Sequence, residues 1–147
     1  MKGQCLCGAV TFEIVGEIPN LYQCHCSECR KSTGSSANAA TFVSSESFRW
    51  TQGKDRISSF KKDSGYRNDF CSICGSSVPN PLRDTSKVWV PAGLLEETDN
   101  LKVVAHLYMN SKASWETSAQ GAEEYDESPG LEVLNNALNW SSRLMRR

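Results

Sequence analysis

The spacing of seven cysteines constrains this chain more than any other feature of its sequence. Cys24, Cys26 and Cys29 fall within six residues, and the other four cysteines form two close pairs. A Cys-x-Cys-x-x-Cys run brings three soft sulfur ligands onto one tight turn, which suits a zinc ion. The alternative to metal binding is that these cysteines pack as small buried hydrophobic residues, but that role suits scattered cysteines better than close pairs. The fold is therefore expected to gather these sulfurs into metal centres.

The odd number of cysteines and the start of the chain argue against a disulfide framework. Residues 1–5 carry no apolar stretch resembling an export signal, so we expect a cytoplasmic protein with reduced thiols. The formal net charge of −1 indicates no nucleic-acid partner, and the apolar runs are too short to span a membrane. The length of 147 residues predicts a single domain over residues 1–147, with no indication of an oligomeric state.

Short segments of alternating polarity predict a mainly β fold. Val10, Phe12 and Ile14 alternate with polar residues, which is typical of a half-buried strand. Two runs separated by Lys62 to Gly65 predict a hairpin. Further strands are predicted at 21–23, 37–43, 47–51, 57–61, 66–70, 87–90 and 103–108.

The remaining segments contain little regular structure. Residues 32–36 are small and polar and predict a loop beside the three-cysteine cluster. The stretch 110–130 is irregular, with Trp115 and Tyr125 as expected anchors. Leucines at helical spacing predict an amphipathic C-terminal helix over about 131–144.

The cysteines divide most simply into a set of four and a set of three. Cys5 and Cys7 pair with Cys71 and Cys74 in one four-sulfur structural site, if the fold brings the pairs together. The cluster of three then forms a separate site with an open ligand position. The competing division places Cys24 or Cys29 with Cys71 and Cys74 in a single site and leaves the other thiols unexplained.

His25 lies between two of the clustered cysteines and has three possible roles. It can be a fourth metal ligand, although neighbouring residues tend to point in different directions. It can be an outer-shell group or proton carrier beside the metal, or a solvent-facing loop residue. Three basic residues have two possible roles: they can bind carboxylates of a substrate, or they can be ordinary surface charge. They are Arg30, Lys31 and Arg67. Three aromatic residues can line a pocket or pack in the core, namely Trp50, Tyr66 and Trp89.

Three motifs appear in an order that resembles a known family. They are Cys-Leu-Cys-Gly from Cys5, Cys-His-Cys-Ser-Glu-Cys-Arg-Lys from Cys24, and Phe-Cys-Ser-Ile-Cys-Gly-Ser from Phe70. Together they resemble the glutathione-dependent formaldehyde-activating enzyme family, whose domain is shared with centromere protein V. Weaker similarities include His-Leu-Tyr from His106, and the resemblance runs from Gly3 to about Trp115.

The resemblance implies an Mss4-like fold of antiparallel sheets around a structural zinc, with a second zinc at the ligand site. By position, the structural set is Cys5, Cys7, Cys71 and Cys74, and the catalytic set is Cys24, Cys26 and Cys29. Two Zn²⁺ ions per chain are then expected, and the open three-cysteine site is prone to lose metal or oxidise.

The resemblance also implies an activity and a partner. The family's named reaction joins glutathione and formaldehyde into S-(hydroxymethyl)glutathione, formally a carbon–sulfur lyase in reverse. A zinc-dependent enzyme that holds a substrate thiolate beside an aldehyde is the expected function, with His25 and Arg30 as outer-shell candidates. The alternative is a non-catalytic zinc module that binds a protein or a small ligand.

Overall fold

A computed structural model describes residues 1–116 and 123–139 of the chain. Within these residues the structure is mainly β, with short strands and two α-helices. The strands are β1 (Lys2–Gln4), β2 (Thr11–Ile14), β3 (Leu21–Cys24), β4 (Asn38–Ser44), β5 (Phe48–Gln52), β6 (Ile57–Lys61), β7 (Arg67–Cys71), β8 (Ser77–Val78), β9 (Asn80–Pro81), β10 (Lys87–Pro91), β11 (Val103–Leu107) and β12 (Glu123–Glu124). The α-helices are α1 (Ser27–Thr33) and α2 (Leu131–Leu138). No helix in this part of the chain has the length and apolar character needed to cross a membrane.

The chain divides into two compact units, of which the first comprises residues 1–18 and 41–99. It contains two antiparallel three-stranded sheets, in the orders β1-β2-β5 and β6-β7-β8. Strands β9 and β10 form a further antiparallel pair. The alternation predicted around Phe12 is present in β2, where Phe12 and Ile14 are buried and their neighbours are half-buried.

Aromatic side chains and sulfurs build the core of the first unit. Phe12 stacks on Phe48 with ring centroids 5.4 Å apart and meets the edge of Trp50 at 6.0 Å. A second cluster contains Cys5, Cys71 and two buried valines. Two of the seven cysteines therefore belong to the hydrophobic core of this unit as well as to a possible metal site.

The second unit comprises residues 19–40 and 100–147. Its strands lie in the order β12-β11-β3-β4, with β3 antiparallel to β4 and parallel to β11. Helix α2 packs against β11, and Leu134 and Leu138 on its inner face are buried. The Asn20 N–H donates to the Leu138 carbonyl, which fixes the end of α2 beside the start of β3.

The predicted fold class and hairpin are confirmed, and the structure differs from the prediction in other features. Strand β11 pairs in parallel with both β3 and β12, although only antiparallel sheets were expected. Helix α1 was not predicted, and it takes in Ser32 and Thr33 at the start of the predicted 32–36 loop; the Cys26 sulfur caps its first turn. Helix α2 begins at the predicted residue, and its expected extension past Asn139 lies outside the described residues. The anchoring role expected of Trp115 is wrong, since its side chain is 71% exposed.

Candidate metal centres

Four cysteine sulfurs meet in the first unit, from the turn after β1 and the turn after β7. The Sγ atoms of Cys5, Cys7, Cys71 and Cys74 all lie within 4.8 Å of one another. The distance from Cys7 is 3.6 Å to the Cys5 Sγ and 3.9 Å to the Cys71 Sγ. A tetrahedral zinc with bonds of about 2.3 Å separates its sulfurs by about 3.8 Å. The sulfur positions and the donor chemistry therefore fit a closed zinc site, which we call the quartet.

Local backbone geometry brings the quartet together. Gly75 adopts a φ of 77°, which a side chain rarely permits, and its N–H donates to the Cys71 carbonyl at 2.8 Å. The resulting turn brings Cys71 and Cys74 to the same side. On the other pair, the Val10 N–H donates to the Cys5 sulfur at 3.3 Å. The Val10 amide thus supplies an outer-shell hydrogen bond of the kind that stabilises a thiolate ligand.

The protein environment favours the thiolate form at two quartet members. The hydrogen bonds from the side chain and backbone of Ser76 lower the pKa of Cys74 to about 5. At Cys5, burial raises the pKa, but the Val10 N–H and neighbouring thiols outweigh it, and the pKa is lowered overall. Thiolates are the form in which cysteine binds metal.

The remaining three sulfurs meet in the second unit, where β3 leads into α1. Cys24 ends β3, Cys26 is the N-cap of α1, and Cys29 lies in its first turn. Their Sγ atoms lie within 4.8 Å of one another, and among the described residues no histidine, other cysteine or carboxylate joins them as a fourth candidate ligand. We call this set the trio. A tetrahedral metal bound by it keeps one position for another ligand.

The trio shares negative charge among its sulfurs. Hydrogen bonds from Cys24 and then Cys29 lower the pKa of Cys26 to about 2. The same interaction with Cys26 is the main cause that raises the pKa of Cys24 to about 11, and the pKa of Cys29 is also raised, chiefly by Cys24. The three thiols therefore titrate as one group that holds a single thiolate. A dication bound by Cys24, Cys26 and Cys29 would lower the pKa of all three thiols and hold them as thiolates.

The structure places His25 inside the second unit, with 1% of its surface exposed. Its Nδ1 lies 2.7 Å from Glu116 Oε2, and its Nε2 lies 2.8 Å from His106 Nδ1. Both ring nitrogens are thus occupied by protein groups and are not directed at a metal. The alternatives of a fourth ligand and of a solvent-facing residue are therefore wrong for this structure.

The hydrogen bonds specify how protons are placed on the two rings. A carboxylate only accepts, so the Nδ1 of His25 carries a proton and donates to Glu116. If His25 is neutral, its Nε2 accepts from the Nδ1–H of His106. His106 Nε2 is then an acceptor, and within the described part of the chain it has no hydrogen-bond partner. Burial is the main cause that lowers the pKa of His106 and keeps its ring neutral, and a positive charge on His25 lowers this pKa further.

Two further side chains lie beside the trio. Arg30 donates from Nε to the carbonyl oxygen of His25 at 3.3 Å, so it supports the ligand loop. Tyr108 adopts a left-handed backbone conformation with a φ of 58°, directly after the strand residue paired with Cys24. Burial and then the charges of Cys24 and Cys26 raise the pKa of Tyr108, so its hydroxyl stays protonated at neutral pH.

The other basic and aromatic candidates have different surroundings. Trp50 and Arg67 line a cavity of about 340 Å³ in the first unit, and Tyr66 and Trp89 do not line it. The Arg67 guanidinium already makes two hydrogen bonds, of 2.7 and 2.6 Å, to the buried Asp69 carboxylate. Lys31 is exposed on α1.

Sequence reasoning did not single out Glu116, and it gave His106 and Tyr108 only as part of a family resemblance. A signal for His106 was present, since a polar ring interrupts the apolar run of residues 103–107. Glu116 lies in an irregular stretch and carries no comparable signal. Its contact with His25 joins residues 91 positions apart, which only the tertiary fold can establish.

Comparisons with known proteins identify a matching family. Residues 1–111 match the family model described as "Glutathione-dependent formaldehyde-activating enzyme". A Halomonas elongata protein provisionally given that name is 30% identical over 84 residues, which are 53% of this chain and 54% of the relative. The chain thus spans about half the length of the curated relative it matches.

A solved structure supports the fold separately. The crystal structure of a Rhodobacter sphaeroides protein aligns with a TM-score of 0.56 and 25% identity, covering 68% of this chain and 92% of that one. The predicted family resemblance is confirmed by the family match, which includes every cysteine of the quartet and the trio. The chain belongs to the glutathione-dependent formaldehyde-activating enzyme family.

Proposed function

We propose that this protein is a zinc-dependent enzyme that forms or cleaves adducts between a thiol such as glutathione and an aldehyde such as formaldehyde. The observation that carries the proposal is the trio, a set of three mutually close sulfurs separate from a complete four-sulfur set. In this proposal Cys5, Cys7, Cys71 and Cys74 hold a structural zinc. Cys24, Cys26 and Cys29 hold the catalytic zinc, so two Zn²⁺ ions bind per chain.

The chemistry needs no redox change. The S–H bond of the thiol breaks, a carbon–sulfur bond forms at the carbonyl carbon, and the proton is transferred to the carbonyl oxygen. Zinc held by the trio would lower the pKa of the substrate thiol and keep it as a thiolate at the remaining position. The reverse sequence cleaves the adduct, which makes the enzyme formally a carbon–sulfur lyase.

The chain's own residues can bind the substrate and supply the proton. Tyr108 stays protonated beside the thiolates, so we assign it as the donor to the developing alkoxide. We assign the guanidinium of Arg30 to a carboxylate of the thiol substrate, because its Nε contact with His25 holds it next to the trio. His25 is assigned to the outer shell, where it contacts no substrate.

The proposal extends to the whole chain and its setting. We propose that residues 1–147 act as one zinc domain and that the protein works in the cytoplasm. All seven cysteines are free thiols, and thiolate ligands of an open site survive best under reducing conditions. Its partner is a small-molecule thiol.

Replacing Cys29 with serine tests the catalytic role of the trio. We expect zinc content to fall from two ions to one per chain, with loss of the catalysed exchange between glutathione and formaldehyde. That exchange is measured by two-dimensional NMR as the rate above the spontaneous background. The free energy of unfolding should change little, because the quartet is intact.

Leu6→Ala provides a matched control, since Leu6 is 86% exposed and lies beside the quartet without being a ligand. It should keep both zinc ions and the exchange rate. A Cys29→Ser protein that retains the wild-type rate would show that the trio is not catalytic. A wild-type protein that does not exceed the background would contradict this reaction and leave the non-catalytic zinc module as the better account.

A further inference from the structure

The loop that carries two of the trio cysteines is held by one buried residue between them. His25 uses every polar group it has: its N–H donates to the Leu107 carbonyl at 2.9 Å, and its carbonyl accepts from Arg30. Its ring makes the contacts of 2.7 Å with Glu116 and 2.8 Å with His106. Turning this ring would break both hydrogen bonds at once, one of them buried, so the backbone on either side is held in place.

The groups that hold the ring come from distant parts of the chain. His106 lies in β11, 81 residues away, opposite Gln23 in β3. Glu116 lies beyond β11 in a tight turn, where its own N–H donates to the carbonyl of the buried Ala113 at 3.0 Å. The ligand loop, strand β11 and this turn are therefore joined by one chain of hydrogen bonds.

We propose that Glu116 and His106 are positioning residues, which hold His25 so that Cys24 and Cys26 are pre-arranged for metal. None of the three contacts the metal or the substrate. The charge-assisted hydrogen bond that the His25 Nδ1–H donates to Glu116 sets the orientation of the ring, and His106 holds its far side. The inference rests on the proposed function in one respect: it takes the trio to be a metal site.

The physical basis is pre-organisation of the ligands. Without the two contacts, the His25 ring is left with buried, unsatisfied nitrogens and the loop relaxes to satisfy them. The trio offers only three sulfurs, so a shift of one ligand loses a larger part of its binding energy than in a closed site. Outer-shell changes of this kind typically reduce metal affinity by roughly 10- to 100-fold.

Cobalt titration measures this effect at the trio directly. Co²⁺ bound by thiolates has an intense sulfur-to-metal charge-transfer band, and Cys29→Ser supplies the spectrum of the quartet for subtraction. We expect Glu116→Ala and His106→Leu each to weaken Co²⁺ binding at the trio by roughly 10- to 100-fold. Binding at the quartet should remain as in wild type, which shows within the same sample that the variant is folded.

Conservative variants separate positioning from general damage. Glu116→Gln keeps an acceptor for the His25 Nδ1–H, and His106→Asn keeps a donor near the position of Nδ1, so both should restore most of the affinity. Glu124→Ala is the matched control, because Glu124 is an exposed carboxylate opposite His106 in the sheet. Glu124→Ala should leave the Co²⁺ affinity of the trio as in wild type.

The proton arrangement provides a test without any variant. The chain has only two histidines, so their ¹⁵N ring signals can be assigned with His106→Asn. We expect a protonated Nδ1 on His25, because this nitrogen donates to Glu116 whichever ring supplies the proton between the two histidines. Two rings with protonated Nε2 and bare Nδ1 atoms would overturn the proposed hydrogen-bond chain.

The remaining outcomes separate this inference from the proposed reaction. Unchanged Co²⁺ affinity at the trio in both Glu116→Ala and His106→Leu would overturn the inference, as would a wild-type chain that binds Co²⁺ only at the quartet. If the wild type shows no catalysed glutathione–formaldehyde exchange but its trio affinity depends on Glu116 and His106, the inference stands and the reaction is wrong.

Discussion

At the scale of single residues, the buried carboxylate of Asp69 is the clearest test of electrostatics in the first unit. It is 4% exposed and accepts hydrogen bonds from Arg67 and from the Ser59 hydroxyl. Asp69→Asn removes the charge and replaces an acceptor with a donor, so we expect a loss of about 1–3 kcal/mol in the free energy of unfolding. Urea denaturation measures this loss.

The matched control is the exposed pair of Glu13 and Arg49 on neighbouring strands. Glu13→Gln should change stability much less than Asp69→Asn, because water solvates the charges of a surface pair when the partner is lost. Equal effects of the two substitutions would show that burial of Asp69 is not the source of its contribution.

Also at the residue scale, His106 predicts how stability depends on pH. Its folded pKa is lowered, so the unfolded chain binds a proton that the folded protein resists. The contribution is present above the unfolded value of about 6.5 and is lost as the pH falls toward the lowered folded pKa. We expect the unfolding free energy to decrease over this range, and His106→Asn to decrease less steeply. An equal slope in the two proteins would contradict the assignment.

At the scale of elements, the connection between β5 and β6 depends on a glycine. Gly53 has a φ of 74°, and a Cβ built there would lie 1.9 Å from the Ala9 carbonyl oxygen. Gly53→Ala should therefore destabilise the protein by more than the roughly 1 kcal/mol expected from backbone strain alone. Gly16→Ala is the control, since Gly16 also has a positive φ of 91° but has open space around it. Thermal unfolding of both variants separates the clash from the strain.

The elements also show which features sequence patterns can predict. Alternation predicted β2 and the β6–β7 hairpin, because each buries one face locally. The parallel pairing of β3 with β11 was not predictable in this way, since it joins segments about 80 residues apart and depends on the rest of the fold. Helix α1 was missed because its N-cap is a cysteine sulfur, a group absent from the usual capping signals.

At the scale of the whole molecule, cysteine spacing identified both sulfur sets before the fold was known. Close pairs restrict which sulfurs can meet, so the four and the three could be grouped from sequence. The residues that hold the trio in place could not be predicted from the sequence. Glu116 and His106 reach His25 only through the arrangement of β3, β11 and the turn beyond it. Metal ligands can therefore be predicted from local spacing, whereas the groups that orient them can be identified only from the tertiary structure.

Because the two sites differ in the number of sulfur ligands, we expect a chelator to remove metal from them in two stages. The trio offers three sulfur ligands, whereas the quartet offers four and two of its members, Cys5 and Cys71, lie in the hydrophobic core. Metal release from the quartet is therefore coupled to loss of core structure, but release from the trio is not.

Titration with a chelator should remove the first equivalent of zinc without a change in circular dichroism. Removal of the second equivalent should coincide with unfolding. In Cys29→Ser only the second stage should remain. Simultaneous loss of both equivalents with unfolding would mean that the trio, too, is needed for the fold.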